Sequence, residues 1–290
     1  MKNKKQVTVW GGSGFIGSHV CDEFSKKGFN VIVADKKKSN WITQNQKMYI
    51  GDITNFNDVD KSIKGSSTVL NFAGISDIDI ANKDPLGSIN QNILGNMNIL
   101  KSCSQNSVKK YIFASTIYVF SDSGGFYRCS KQSAELFIKE FCKKNSLKYN
   151  ILRFGTVYGT RASDKNSVHR YIKLALNNKK INVPASGDIL REYIHVSDIS
   201  NICFNITKSK NNNCCYIITG NNNYKLNNLF KIISEITKRK IRVNYVKNSK
   251  NSHYTISPYS YEPEQSKKIT NNVYTDLGQG ILEIIKEIKS

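Results

Sequence analysis

The stretch "STIYVFSDSGGFYRCSK", residues 115–131, holds a hydroxyl pair, Ser115 and Thr116, and places Tyr127 four positions before Lys131. Residues four apart in a helix project from one face. An ammonium held beside a phenol alters what the phenol can do: a unit charge about 4 Å away, at an effective dielectric of about 20, is worth about 4 kcal/mol. That is enough to bring a phenol from its ordinary pKa of about 10 toward neutrality. Tyr127 then becomes a general acid and base at physiological pH. The spacing alone is common, so its meaning depends on the elements that surround it.

A second motif supplies that context. "VTVWGGSGFIGSHV" runs from an apolar strand into Gly11, Gly14 and Gly17 and on into a helix. Glycines at this spacing allow a tight turn and let backbone approach a pyrophosphate, which the unpaired N–H groups of the helix N-terminus then bind. Phe15 and Ile16 lie inside this loop and count with the glycines as expected cofactor contacts. The second strand ends at Asp35, where a carboxylate holds ribose hydroxyls and repels a 2′-phosphate. NAD is therefore favoured over NADP, although Lys36, Lys37 and Lys38 soften the repulsion. In "GDIT", Asp52 and Ile53 follow the third strand, with Asp52 placed either to reach the adenine or to cap the helix that begins near Phe56.

The elements that carry these residues read as an α/β chain. Apolar strand-like runs at 6–10, 30–34, 47–50, 67–74, 111–116 and 149–155 alternate with amphipathic stretches, clearest at 86–103 and 128–144. This alternation predicts a Rossmann-type doubly wound parallel sheet, with Ser115 and Thr116 at the C-terminal strand edge where such sheets bind ligands. Residues 1–155 form the expected NAD-binding domain, with a stretch near 186–210 returning to it. Residues 156–290 form a smaller α/β substrate lobe of shorter elements. Residues 247–275 read as irregular surface chain, and Ile281, Leu282, Ile284, Ile285 and Ile288 as the docking face of a terminal helix. Arg191, Tyr193 and His195 alternate in "REYIH", so an extended segment aims them to one side.

Composition narrows the function classes. No apolar run approaches the roughly 18 residues of a membrane span, and the apolar stretch after the basic start is too short for a secretory signal. Seven cysteines without a C-x-x-C pair and four dispersed histidines give neither a disulfide framework nor a metal site. A soluble chain in a reducing cytoplasm is expected. The formal charge of +21 raises nucleic-acid binding, but the basic residues are scattered and only seven of 43 are Arg, so no nucleic-acid partner is expected. A basic surface equally attracts a phosphorylated small molecule.

The motifs "GGSGFIG", "GDIT", "NFAG", "NILGNMNIL", "FASTIYVF", "YRCSK", "LRFGTVYGTR" and "REYIHVSD" occur in this order over nearly the whole chain. Jointly they resemble the NAD-dependent epimerase/dehydratase family of the extended short-chain dehydrogenase/reductase superfamily. The resemblance implies a homodimer that acts on a nucleotide sugar with NAD. It puts the catalytic hydroxyl at Thr116 rather than Ser115, with Tyr127 as acid and base and Lys131 holding the nicotinamide ribose. Asn92 matches a structural asparagine that supports the lysine, Ala73 and Gly74 line the cofactor path, Arg191 binds the nucleotide diphosphate, and Arg161 is a second, weaker substrate contact. His195 reads as a packed histidine outside the catalytic set.

The chain also departs from the pattern. Ten residues separate Thr116 from Tyr127, fewer than in many relatives, which predicts a more open sugar end. Ile117 and Tyr118 stand where 4,6-dehydratases carry an Asp-Glu pair, so dehydration is not expected. Trp10 precedes the glycine loop in place of a small or hydroxyl residue. An epimerase acting by hydride transfer at a sugar carbon, C4, is the expected activity. A 4-ketosugar reductase using the same residues is its rival, and a cofactor-binding regulatory or scaffold protein is the non-catalytic alternative.

Overall fold

The structure is a computed structural model that describes residues 5–183, 186–246, 258, 266–270 and 273–290. In chain order the strands are β1 (Gln6–Trp10), β2 (Asn30–Asp35), β3 (Gln46–Ile50), β4 (Thr68–Asn71), β5 (Lys110–Thr116), β6 (Lys148–Phe154), β7 (Thr156–Tyr158), β8 (Ile181–Val183), β9 (Leu190–His195), β10 (Cys214–Ile218), β11 (Asn223–Lys225), β12 (Val243–Tyr245) and β13 (Lys267–Lys268). The helices are α1 (Phe15–Lys26), α2 (Phe56–Ile63), α3 (Ile78–Lys83), α4 (Pro85–Ser88), α5 (Gly95–Gln105), α6 (Gly125–Asn145), α7 (Ser167–Leu176), α8 (Val196–Lys208), α9 (Leu226–Thr237) and α10 (Leu277–Lys289). A π-helical turn, Ile89–Leu94, joins α4 to α5, and a 3-10 turn, Ile117–Phe120, follows β5.

Eight parallel strands form the large sheet in the order β13-β10-β6-β5-β4-β1-β2-β3. Its strands alternate between faces with the period of two that a pleated strand imposes. On β1, Val7 and Val9 join the core beneath α1 and α8, while Trp10 joins the opposite core beneath α2, α5 and α6. Both faces are therefore covered, which is why the strands read as almost unbroken apolar runs. The chain winds outward through β1, β2 and β3, then returns to place β4 on the other side of β1. That reversal opens a crevice at the C-terminal ends of β1 and β4.

Two smaller sheets, β11-β9-β7 and β12-β8, pack with α7, α9 and α10 around a third core. The boundary between the bodies is more interleaved than the sequence suggests. α8 packs on α1 against the large sheet, within the stretch expected to return to it, while β10 and β13, from stretches assigned to the smaller lobe, are also strands of the large sheet. Most of 247–275 lies outside the described residues.

α10 starts at Asp276, whose side chain accepts the N–H groups of Gly278 and Gln279. It buries Leu277, Ile281, Ile284 and Ile285. Leu282, expected on the docking face, is 40% exposed. At 3.6 residues per turn it falls about 100° from Ile281, outside the stripe. Ile284 is fully buried in the third core. Ile284→Ala should cost about 2–5 kcal/mol, read as a lowered urea midpoint; an unchanged midpoint would show that α10 does not dock.

Candidate active site

The glycine loop sits where β1 meets the crevice. Gly11 has φ +76, and a Cβ there would lie 2.5 Å from the backbone N of Ala73. A Cβ on Gly17 would come within 2.1 Å of the Gly11 carbonyl oxygen. Only glycine permits this contact between the loop, the start of α1 and the chain leaving β4. Gly14 occupies the N-cap of α1 without a side-chain cap, and no acidic residue stands in the first turn. The first-turn N–H groups of α1 thus remain for an anion, beside a cavity lined by Gly11, Gly14, Phe15, Ile16 and Gly17. This cradle fits the pyrophosphate of a dinucleotide.

Asp35, at the end of β2, lines the same cavity and accepts the N–H groups of Ser13 at 3.1 Å and Lys37 at 3.0 Å, one on each oxygen. Two carboxylate oxygens offer about four acceptor sites, so sites remain for ribose hydroxyls. Lys36 does not act on Asp35's surroundings alone: its Nζ is 2.9 Å from Asp52 Oδ2. The Lys36 ammonium and the Thr54 backbone N–H hold the Asp52 carboxyl down at about 2. Asp52 and the buried Ile53 line the cavity. Asp52 does not cap α2, because Asn55 does so by accepting from Asn57 and Asp58.

Ala73 and Gly74 also line the cavity, on the loop after β4. Gly74, at φ +134, leaves no room for a Cβ, which would sit 2.3 Å from Asn92 Oδ1. Asn92 itself is 2% exposed and does not line the cavity. Its amide brackets Ile75, accepting the N–H at 2.8 Å and donating to the carbonyl at 2.9 Å, and also donates to Ser130 Oγ at 2.8 Å. Asn92 thus fixes the loop after β4 to α6 through Ser130, one residue before the lysine. The π-helical turn around Asn92 aims it there.

Thr116, Tyr127 and Lys131 all face this cavity of about 1100 Å³. Thr116 Oγ1 accepts the Tyr118 N–H at 3.3 Å, which leaves its own proton for another acceptor. Ser115 is committed elsewhere, donating to Glu135 Oε1 at 2.6 Å. α6 starts at Gly125, against Asn82 of α3, whose Oδ1 accepts the Phe126 N–H. Tyr127 is held among Ile78, Ala81 and the edge of the Tyr118 ring, whose centroid is 6.2 Å away.

Lys131 is 6% exposed, donates to the Ala114 carbonyl at 2.8 Å and lies over the Phe113 ring. An ammonium has three donors, so two remain. One turn further along α6, Glu135 pairs with Arg153 of β6 at 2.6 Å, both side chains 5% exposed. Sequence reading missed this pair, yet Glu135 continues the four-residue spacing of Tyr127 and Lys131.

The opposite wall comes from the smaller body. Arg191 and Tyr193 of β9 line the cavity with Tyr171, Ile189 and Leu226. Lys165 Nζ lies 3.7 Å from Asp77 Oδ2, spanning the two walls. Arg161 is not in the cavity. The chain turns through Gly159 and the left-handed Arg161 itself, at φ +62, and sends the guanidinium to Asp22 of α1 at 2.7 Å, over the Trp41 ring. His195, read as packed, is buried and shares a 2.7 Å hydrogen bond between Nδ1 and Ser197 Oγ, with its pKa lowered by burial.

A parallel sheet with a glycine loop at the start of α1 and a tyrosine–lysine pair facing the same crevice is a Rossmann-type arrangement. Residues 7–216 match the NAD dependent epimerase/dehydratase family, and the chain belongs to it. It is an enzyme of that family, with NAD as cofactor.

The chain is 26% identical over 237 residues to a dTDP-D-glucose 4,6-dehydratase of Dictyostelium discoideum, matching 67% of this chain but only 54%, about half, of that relative. It is 26% identical over 220 residues to a putative UDP-glucose 4-epimerase of Methanocaldococcus jannaschii, covering 67% of this chain and 70% of the relative. The fold is that of the Thermus thermophilus UDP-glucose 4-epimerase solved with NAD, at TM-score 0.84 and 20% identity over 98% of this chain and 99% of the other.

Burial lowers the Lys131 pKa from its ordinary 10.5 to about 8. The unfolded chain therefore binds the proton more tightly, and stability rises with pH between about 8 and 10.5. Below about 8 the full penalty of the buried charge is present. Urea unfolding of the ligand-free protein should show wild type gaining on Lys131→Met across that window. A pH-independent difference between the two would contradict the burial of a charged Lys131.

Proposed function

We propose that this enzyme is a nucleotide-sugar epimerase that inverts the configuration at C4. The observation that carries the reading is one cavity in which the glycine cradle, the Thr116–Tyr127–Lys131 set and Arg191 all meet. The UDP-glucose 4-epimerases among its relatives and structural neighbours support it.

NAD, held by the glycine cradle and Asp35, supplies the acceptor and donor of the C4 hydride. Tyr127 Oη takes the proton of the C4 hydroxyl as the carbonyl forms and returns it to the same oxygen when the carbonyl is reduced on its other face. Thr116 Oγ1 donates its proton to that oxygen throughout. Lys131, fixed on the Ala114 carbonyl, directs its remaining N–H groups to the cofactor ribose and the phenol side of the site. A charged Lys131 favours the phenolate, and with a pKa of about 8 it is mostly charged at neutral pH. Asn92 acts as a positioning residue for the Gly74–Ile75 loop. Dehydration is disfavoured, because the buried Ile117 and the aromatic Tyr118 follow Thr116 in place of an acid pair.

The enzyme works as a homodimer. Leu136 and Phe137 on α6, with Leu86 and Leu94 on the adjoining α4-to-α5 run, expose apolar surface on neighbouring helices. Such a face is suited to a second copy of the chain. Leu136→Lys with Phe137→Glu should convert the dimer to a monomer in sedimentation velocity; an identical sedimentation coefficient for both proteins would remove this interface.

Tyr127→Phe should lower turnover of a UDP-sugar, followed as the C4 epimer by NMR, about 10²–10⁴-fold. NAD binding should be unchanged. Wild type denatured after purification should release NAD in near-stoichiometric amount, identified by mass spectrometry. Release of no cofactor, with turnover of 4-ketosugars that needs added NADH, would replace the epimerase by the ketosugar reductase. Full activity of Tyr127→Phe would sink both.

A further inference from the structure

We propose that the indole N–H of Trp10 is a hydrogen-bond donor to the adenine ring of NAD. The assignment rests on the NAD cofactor and not on the epimerase reading. It gives a role to the residue that stands, unusually, just before the glycine loop.

Trp10 ends β1 and is 1% exposed, yet it lines the cavity. Its Nε1 is buried and has no hydrogen-bond partner among the described residues. A buried indole N–H ordinarily finds an acceptor, because taking it out of water without one costs its hydration with no return. Its neighbours in the sheet supply none. Trp10 stands beside Ala34 of β2 and Asn71 of β4. Ala34 contributes only a methyl group, which makes room for the indole. Asn71 is committed elsewhere: its Nδ2 donates to Asn96 at 3.3 Å and to Tyr111 at 3.1 Å, and its Oδ1 accepts the Ala73 N–H at 3.0 Å.

The place of the indole identifies the acceptor. Trp10 packs in the core that contains Ile53 and against which Tyr49 and Ala73 lie. Ile53 and Ala73 face the cavity together with Gly51 and Asp52. Gly51 donates its N–H to the Asp35 carbonyl at 3.0 Å, so this wall adjoins the carboxylate that takes the ribose. The glycine cradle receives the pyrophosphate and Asp35 the adenosine ribose, which leaves the base to enter between the ends of β3 and β4, at Trp10. An adenine is a flat, largely apolar ring whose nitrogens accept hydrogen bonds at its edge. Ile53 and Ala73 suit its plane, and the unpartnered Nε1 suits its edge.

The chain has two tryptophans, so its proton–nitrogen correlation spectrum should hold two indole signals, which Trp41→Phe assigns. Trp41 lies 5.3 Å from the Arg161 guanidinium and does not line the cavity, so its signal is an internal reference. The full chain, freed of cofactor, is titrated with NAD and separately with ADP-ribose, which keeps the adenine and lacks the nicotinamide. Both ligands should move the Trp10 indole proton downfield and slow its exchange with water, while the Trp41 signal stays. By calorimetry Trp10→Phe, which keeps an aromatic ring in the core, should bind NAD about three- to tenfold more weakly, as loss of one neutral hydrogen bond predicts. A Trp10 signal that bound NAD leaves in place would overturn the proposal and indicate a fixed water on Nε1. A signal moved by NAD but not by ADP-ribose would overturn adenine as the acceptor. Equal NAD affinity in wild type and Trp10→Phe would also overturn the assignment, and should that variant not fold, the wild-type spectra decide alone. None of these outcomes depends on which sugar is turned over, so the epimerase reading stands or falls separately.

Discussion

A charged group inside a protein dictates its neighbours, because leaving it without a partner is far more costly than leaving an apolar group unpacked. Glu135 and Arg153 are the most deeply buried ion pair described here, and both carboxylate oxygens are used: Arg153 donates from Nε as well as Nη2, and Ser115 donates its hydroxyl. These bonds join α6 to β5 and β6 at one level. Lys131, one turn earlier, adds a bond to Ala114 on the same strand. With α6 fastened at two successive turns, Tyr127 one turn further back has little freedom to leave the strand end that carries Thr116. Thr116, Tyr127 and Lys131 inherit their placement from a salt bridge that does not line the cavity they face.

The glycine loop imposes the second constraint, by exclusion rather than attraction. Gly11, Gly17 and Gly74 each stand where a single methyl group would collide with backbone or with Asn92. Their contacts bring the ends of β1 and β4 together with the start of α1, so the dinucleotide cradle and the loop bracketed by Asn92 form one piece. Asn92 then connects that piece to α6 through Ser130. Cofactor cradle and tyrosine helix are thus joined without passing through the cavity.

The strands, the glycine loop and the Tyr127–Lys131 face were legible because each rests on a short-range rule: a period of two, a fixed loop spacing, residues four apart. What escaped depended on long-range partners. Arg161 belongs to a recognisable motif, yet a left-handed residue at its own position turns it toward Asp22, and no local pattern announces that. Asp52 and Asn55 are both sound capping residues by type, and only the path of the chain after β3 decides between them. The bond of Asn92 to Ser130 depends on a π-helical turn, which shifts the direction of a side chain by part of a turn and has no mark in the local sequence. Two strands of the large sheet, β10 and β13, come from stretches whose short runs carry no mark of which sheet they will join.

The Asp77–Lys165 contact has a consequence for the timing of events at the cleft. It joins the two walls, but the lysine side chain is 62% exposed and the separation is 3.7 Å. Solvent-screened pairs of this kind are worth about 0–1 kcal/mol, no more than about twice the thermal energy. The Tyr127 side of the crevice is locked by buried charge, whereas the link between its walls is a contact that thermal agitation breaks continually and that dissolved salt weakens further. The walls are therefore linked by a tie that parts spontaneously, while the frame behind Tyr127 stays still.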